Sequence, residues 1–290
     1  MKLGIGTARF GMDYGELSSE GRPKPREISR ILKYAAGCGI RAIDTAPAYG
    51  EAERLVGASF PEDHHFKVIT KTLPVPQGTI TKAHIANIRS AFLRSLKHLR
   101  LPKVYGLLVH RPENLVDRGG EMLSELMEEF KASGLAVKIG ISAYTAEQIE
   151  RAFEVFPLDL VQVPLNILDQ RLITGGTLTR LSRAGVEVHA RSIFLQGALL
   201  LSPDCLPPRF TPIRTKLNRL HAYIRELGMS PLQMALSFAM GMDEVANVIC
   251  GIATVRQLEE LCETRCVELD PSRLAEFVVD DVNIIDPSRW

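Results

Sequence analysis

No apolar run in this sequence approaches the roughly 18 residues that a helix needs to cross a bilayer. The first residues, Met-Lys-Leu-Gly-Ile-Gly-Thr, lack the apolar core of a secretory signal. The expectation is a cytoplasmic protein with no membrane partner. An excess of either charge is also missing: 35 Lys and Arg face 34 Asp and Glu, for a formal net charge of +1. That balance gives no support for nucleic acid or an anionic surface as a partner. Cysteine is sparse, with five residues at scattered positions (Cys38, Cys205, Cys250, Cys262 and Cys266). Cys262 and Cys266 lie one helical turn apart, but no histidine or second pair accompanies them. Free thiols in a reducing compartment, and no metal site, are expected. There is no linker, no low-complexity tract, and no G-x-G-x-x-G opening a βαβ unit, which argues against a Rossmann nucleotide site.

What is present is a chain of 290 residues, 46% apolar and 24% charged, long enough to bury a large core. Eight short runs rich in Val, Ile and Leu read as strands buried on both faces: 2–7, 40–44, 67–71, 104–110, 136–142, 158–163, 186–191 and 245–251. Helical patterns fill the gaps. In 81–99, Ile85, Ile88, Phe92, Leu96 and Leu99 recur at spacings of three and four. Thr145 with Gln148, and Thr254 with Gln257, have capping-box spacing, and Ser230-Pro231 reads as a helix start. The alternation predicts an α/β fold, a (β/α)8 TIM barrel forming one domain over residues 1–290. An open doubly wound sheet is the rival, because periodicity does not report closure.

Six of the eight runs end on Asp44, Lys71, His110, Ser142, Arg191 and Gly251, and Gln162 stands one residue before the end of another. In a parallel barrel these ends converge on the rim where such folds carry their chemistry. Charges ending three successive strands are costly unless they partner one another. Tyr49, five residues beyond Asp44, can return over the same rim. A free phenol has a pKa near 10, and a neighbouring ammonium lowers it. Lys71 is expected to be that ammonium, Asp44 to hold Lys71 charged and oriented, and His110 to hydrogen-bond the substrate oxygen or relay its proton. This set suits protonation of an alkoxide as it forms on a carbonyl. None of these side chains supplies hydride, so a cofactor must. The helix starting near Thr254, after the eighth strand, is a candidate phosphate site.

The segments AIDTAPAYGEAERLVG, KVITKT, LLVHRP and KIGISAYTAEQI resemble the signatures of the aldo-keto reductase family, in order and at familiar spacing, over residues 1 to about 265. TARFGMDYG resembles a bacterial branch of that superfamily. The resemblance implies a nicotinamide dinucleotide cofactor and a small-molecule carbonyl substrate. It implies that Asp44, Tyr49, Lys71 and His110 form the catalytic tetrad. It also implies that Ser142 and Gln162 bind the nicotinamide carboxamide. By the same resemblance, Ser192, Phe194, Gln196 and Gly197 follow the pyrophosphate, and Gly251, Thr254, Gln257 and Glu260 surround the adenosine end.

The chain departs from the family pattern in places. Ala143 stands where Asn is frequent. Arg191 stands where an aromatic residue usually stacks on the nicotinamide, and a guanidinium plane can stack on a ring too. The basic residues that usually grip the 2′-phosphate correspond to Gly251 and Gln257, with Arg256 between them. The cofactor is therefore expected to be NADP or NAD. The reading is an NAD(P)H-dependent oxidoreductase that reduces an aldehyde, ketone or sugar-like carbonyl, acting as a monomer or small homo-oligomer.

Two other functions fit the fold class. One is a cofactor-binding regulatory or partner subunit with little turnover; the other is an aldolase with Lys71 forming a Schiff base. His64, His65, His84, His98 and His221 read as solvated or packing residues, and His189 as structural. Phe10, Met12, Asp13 and Tyr14 either line the substrate pocket or pack the rim. Trp290 either anchors the tail or reaches the pocket mouth.

Overall fold

The computed structural model describes residues 1–15, 17 and 20–290. Eight strands run in chain order: β1 (Leu3–Gly6), β2 (Ala42–Asp44), β3 (Lys67–Lys71), β4 (Val104–Val109), β5 (Ala136–Ser142), β6 (Leu160–Pro164), β7 (Glu187–Arg191) and β8 (Val245–Gly251). All neighbours pair in parallel, and β8 returns to β1 through Leu3↔Val248 to Gly6↔Gly251, so the sheet closes into a barrel. The open sheet is thereby excluded, and the fold is a (β/α)8 TIM barrel.

The longer helices are α1 (Pro25–Gly37), α2 (Ala52–Ser59), α3 (Lys82–Leu99), α4 (Glu121–Ala132), α5 (Ala146–Val155), α6 (Thr177–Arg183), α7 (Arg214–Glu226), α8 (Pro231–Met240) and α9 (Val255–Glu263). Thr145 and Gln148 cap the start of α5 reciprocally, as their spacing predicts. Ser230 accepts from Gln233 N ahead of Pro231 in α8. A second capping box, Thr81 with His84 at α3, escapes the sequence template because that template asks for Glu or Gln where His84 Nδ1 accepts.

The strands differ from expectation at their ends. β4 stops at Val109, one residue before His110. β6 continues to Pro164 because pairing with β7 runs on to Pro164↔Arg191, so Gln162 sits within β6 rather than at its end.

Side chains alternate along each strand. Ile43, Val68, Leu107, Val161 and Val248 belong to the large core between barrel and helices. Their neighbours Ala42, Ile69, Leu108, Leu160 and Ile249 form a separate small cluster that fills the barrel. Two residues beyond these five stand Asp44, Lys71, His110, Gln162 and Gly251. The period of two places all five on the inner face, one layer above the apolar plug.

The opposite end of the barrel is also polar. Glu187, the first residue of β7, accepts from Lys138 Nζ and Tyr105 Oη at 2.6 Å each and lies 2.7 Å from His189 Nε2. Asn247 continues this network to His189. Burial opposes the Glu187 charge, but the hydrogen bonds from His189, Lys138 and Tyr105 outweigh it and hold its pKa down to about 2. His189 is fully enclosed here, so its setting is structural, as its sequence context implies.

Candidate active site

Lys71 ends β3 inside the barrel, with a side chain only 1% exposed; the Asp44 side chain is 7% exposed. Lys71 Nζ donates to Asp44 Oδ1 at 2.7 Å and to the Thr45 carbonyl at 2.9 Å. Gln162 reaches across from β6 and donates Nε2 to the same Asp44 oxygen at 2.7 Å. An ammonium this deeply buried is tolerable only because two oxygens receive it. Burial still pulls the Lys71 pKa below its usual value, against the Asp44 carboxylate that raises it.

Tyr49 is carried over the rim by the loop after β2. Its amide donates to Ala46 O, and its carbonyl accepts from Ala52 N at the start of α2. Two glycines let this loop press against the loop after β1. A Cβ on Gly11 would stand 1.8 Å from Tyr49 O, and Gly50, at φ +56°, would place one 2.5 Å from Gly11 O. The phenol ring lies with Lys71 Nζ 5.0 Å from its centroid and the His110 ring edge-on at 6.0 Å.

The electrostatics correct one expectation. Lys71 does not depress the Tyr49 pKa. Burial, followed by the Asp44 charge, pushes the phenol well above its ordinary value, and Arg191 is the cation that pulls it down. The reason is geometric: the Lys71 charge is spent on Asp44, and its ammonium faces the phenol ring. Tyr49 is therefore a protonated phenol at neutral pH. Burial, with Lys71 adding to it, lowers His110 to about 4, so its imidazole is neutral. Its buried Nδ1 has no partner among the described residues.

One cleft joins these groups to the cofactor candidates. Asp44, Tyr49, Arg191, Ser192, Phe194, Gln196, Gly197, Gly251 and Gln257 all line it. Ser192, Leu195 and Gln196 hold positive φ, which is uncommon for non-glycine residues and costs energy that the surrounding packing must offset. Ser142 is buried beside Gln162 in the β5–β6 register. Gln162 Oε1 is buried with no partner among the described residues, an open acceptor next to the rim.

The far end of the cleft differs from expectation. Thr254 spends its hydroxyl on Gln257 N as the cap of α9, and Gln257 Oε1 accepts from Ala253 N. Glu27, from the start of α1, accepts from Val255 N at 2.9 Å. Two donors of the first turn of α9, Val255 N and Gln257 N, thus already have side-chain acceptors. Arg256 is 86% exposed and pairs with Glu260 on the surface, so neither joins the cleft.

Three contributors were not singled out from sequence. Arg9 lines the cleft and donates to the Glu20 carbonyl. Cys250, on β8, lines it too. Tyr144, two residues after Ser142, carries the Arg191 guanidinium 4.1 Å above its ring; an aromatic residue just beyond a strand end was the available signal. Tyr14 lines the cleft, which settles its placement. Trp290 packs edge-on against Phe210 at 5.6 Å, so it anchors the tail. Among the described residues no cluster has the makings of a metal site, and no helix is long and apolar enough to cross a membrane.

Comparison with known proteins agrees with this architecture. The chain is 26% identical over 311 residues to a D-threo-aldose 1-dehydrogenase from Pseudomonas sp, covering 95% of this chain and 92% of that protein. It is 24% identical over 285 residues to the aldo-keto reductase YhdN of Bacillus subtilis, covering 90% and 86%. Among solved structures, an apo aldo-keto reductase from Bacillus halodurans superposes with a TM-score of 0.73 at 21% identity, covering 97% of this chain and 94% of that one. The model of the Aldo/keto reductase family matches residues 2–278, nearly the whole length, and the chain belongs to that family.

Proposed function

We propose that this protein reduces an aldehyde, ketone or sugar-like carbonyl to the alcohol with NADH or NADPH, using Tyr49 as the proton donor. The carrying observation is the meeting of Tyr49, Lys71, Asp44 and His110 at one rim, with Lys71 locked 2.7 Å from Asp44 beneath the phenol ring. A nicotinamide dinucleotide, when bound, supplies the hydride that adds to the carbonyl carbon. The residues present fit such a group. The unpartnered Gln162 Oε1 can accept from the carboxamide beside Ser142, and the Ser192–Gly197 loop borders the cleft between Tyr49 and Gly251.

As negative charge develops on the carbonyl oxygen, the Tyr49 hydroxyl gives its proton there and leaves a phenolate. That phenolate is stabilised by the Arg191 guanidinium, the cation that pulls the Tyr49 pKa down. His110, neutral, offers a ring nitrogen to the same oxygen and so aligns the carbonyl for proton transfer. Asp44 keeps Lys71 charged despite burial, and Gln162 holds Asp44 in place. Lys71 is a poor Schiff-base nucleophile here, because its nitrogen already donates to Asp44 and to a backbone carbonyl.

The names of relatives support the substrate class: one is a D-threo-aldose 1-dehydrogenase and another, in Escherichia coli, an L-glyceraldehyde 3-phosphate reductase. The decisive variant is Tyr49→Phe. Titrated with NADH and NADPH by fluorescence, it should bind as the parent does, while turnover on a panel of aldehydes and aldoses falls by about 10²–10⁴. Turnover at the parental rate would remove Tyr49 as the donor. Cofactor binding by the parent with no oxidation of reduced cofactor on any carbonyl would favour the non-catalytic, regulatory reading.

A further inference from the structure

Arg191 ends β7 and lines the cleft together with Tyr49. Its guanidinium lies over Tyr144, and its hydrogen bonds go to neutral oxygens, Ser192 Oγ and the Ala143 carbonyl, both at 3.4 Å. Among the described residues no carboxylate pairs with it. Among the described residues Asp44 is the one acid lining the cleft, and it is committed to Lys71 and Gln162.

The charges around the reacting centre can then be counted. Lys71 and Asp44 meet at 2.7 Å and together carry no net charge whichever of them holds the proton, Tyr49 and His110 are neutral at pH 7, and Arg191 is a guanidinium. One positive charge is left over, on a side chain that lines the cleft. Its influence reaches the whole group, since Arg191 also pulls down the pKa values of Tyr49, Lys71 and His110. This surplus is not needed to hold the fold together: the buried pair that requires a partner is Lys71 with Asp44, and that pair is complete.

The two redox forms of a nicotinamide cofactor differ by one charge on the ring that exchanges hydride. The oxidised ring is a cation, and the reduced ring is neutral. That ring must stand next to the carbonyl whose oxygen takes the Tyr49 proton, and so within the field of Arg191. We infer that Arg191 makes the site discriminate between redox states, binding the reduced cofactor more tightly than the oxidised one through the unpaired positive charge it brings beside Tyr49. An aromatic residue at this position could stack but would bring no charge. The consequence for turnover is that the oxidised product is held weakly and leaves readily after each reduction.

The inference rests on the carbonyl-reductase reading, and its test keeps the two apart. Dissociation constants are measured by fluorescence and calorimetry for NADH, NAD⁺, NADPH and NADP⁺, and the ratio of oxidised to reduced is taken within each pair. The 2′-phosphate cancels in that ratio. Unit charges a few ångströms apart at an interior site interact strongly enough for a ratio of about 10 to 100 in the parent. Arg191→Gln should lower the ratio by roughly tenfold, and Arg191→Lys, which keeps the charge and loses the planar fork, should preserve most of it. Equal affinities for the two redox states in the parent, or a ratio unchanged by Arg191→Gln, would overturn the inference and leave the reductase reading standing. Failure of the parent to bind any of the four would remove that reading, and this inference with it. The parental ratio is itself a test, so the outcome does not depend on how well the glutamine variant folds.

Discussion

The ion pair between Lys71 and Asp44 is the interaction whose removal should be felt most widely. At 2.7 Å and an effective dielectric of 20, the attraction is roughly 6 kcal/mol. Desolvating two ions costs several kcal/mol each, so the net gain over an apolar pair is small. Breaking it on one side is different, because a lone charge is left inside a barrel with side chains 1% and 7% exposed. Asp44→Asn retains shape and an acceptor for Gln162, and Lys71→Met retains length. Each alone should cost about 3–5 kcal/mol. In a chain of this size 1 kcal/mol moves Tm by about 2 °C, so each single variant should melt roughly 6–10 °C early. The double variant should cost no more than either single one, a coupling of about 3 kcal/mol or more. Thermal and urea unfolding followed by circular dichroism would measure all four proteins. Because the pair is shielded, the coupling should also persist in 0.5 M salt, a concentration at which exposed pairs are largely screened. Additive single effects, or a coupling erased by salt, would refute the claim that the buried pair acts as a unit.

Other outcomes follow from the same geometry. His110 has a folded pKa of about 4 against an ordinary 6.5, so the unfolded chain binds its proton first. Its contribution to stability is complete above about pH 6.5 and is lost as pH falls towards 4, with a slope of up to about 1.4 kcal/mol per pH unit that His110→Asn should abolish. Glu187, held down to about 2 against an ordinary 4.5, contributes fully above the ordinary carboxylate range, begins to lose that contribution as pH falls below about 4.5 and has lost it by about 2. Glu187→Gln should therefore destabilise the barrel by about 3 kcal/mol at pH 7, read by urea unfolding, and leave cofactor binding at the opposite rim unchanged. Gly11→Ala should push on the Tyr49 carbonyl, lowering stability by about 1–3 kcal/mol and turnover by more than the lost folding explains, measured on the folded fraction. Unaltered turnover would mean that the Gly11 contact does not position Tyr49.

Much of the architecture was legible in the residues. Short Val- and Ile-rich runs bounded by polar residues are what strands covered on both faces require, and all eight lie within two residues of their expected bounds. The inner layer was legible for the same reason: a period of two is a property of strand backbone, so Ala42, Ile69, Leu108 and Leu160 imply that Asp44, Lys71, His110 and Gln162 point the same way. Family membership followed from motifs whose residues are consecutive in the chain.

Contacts between distant segments could not be read that way. Closure of the sheet depends on β1 meeting β8, some 240 residues apart, and periodicity is blind to it. Gln162 reaching Asp44 across the barrel, Glu27 closing the start of α9, and Tyr144 lying under Arg191 each join segments that no spacing relates. The ionisation of Tyr49 is the sharpest case. The sequence put a lysine near a phenol, from which a lowered pKa follows. Tertiary structure added two facts that reverse the sign: the phenol is buried, and the lysine is turned to Asp44. Residue types along a strand determine which chemistry can gather at the rim. Desolvation and the direction of each charge, which exist only once the barrel has closed, decide the protonation state in which it waits.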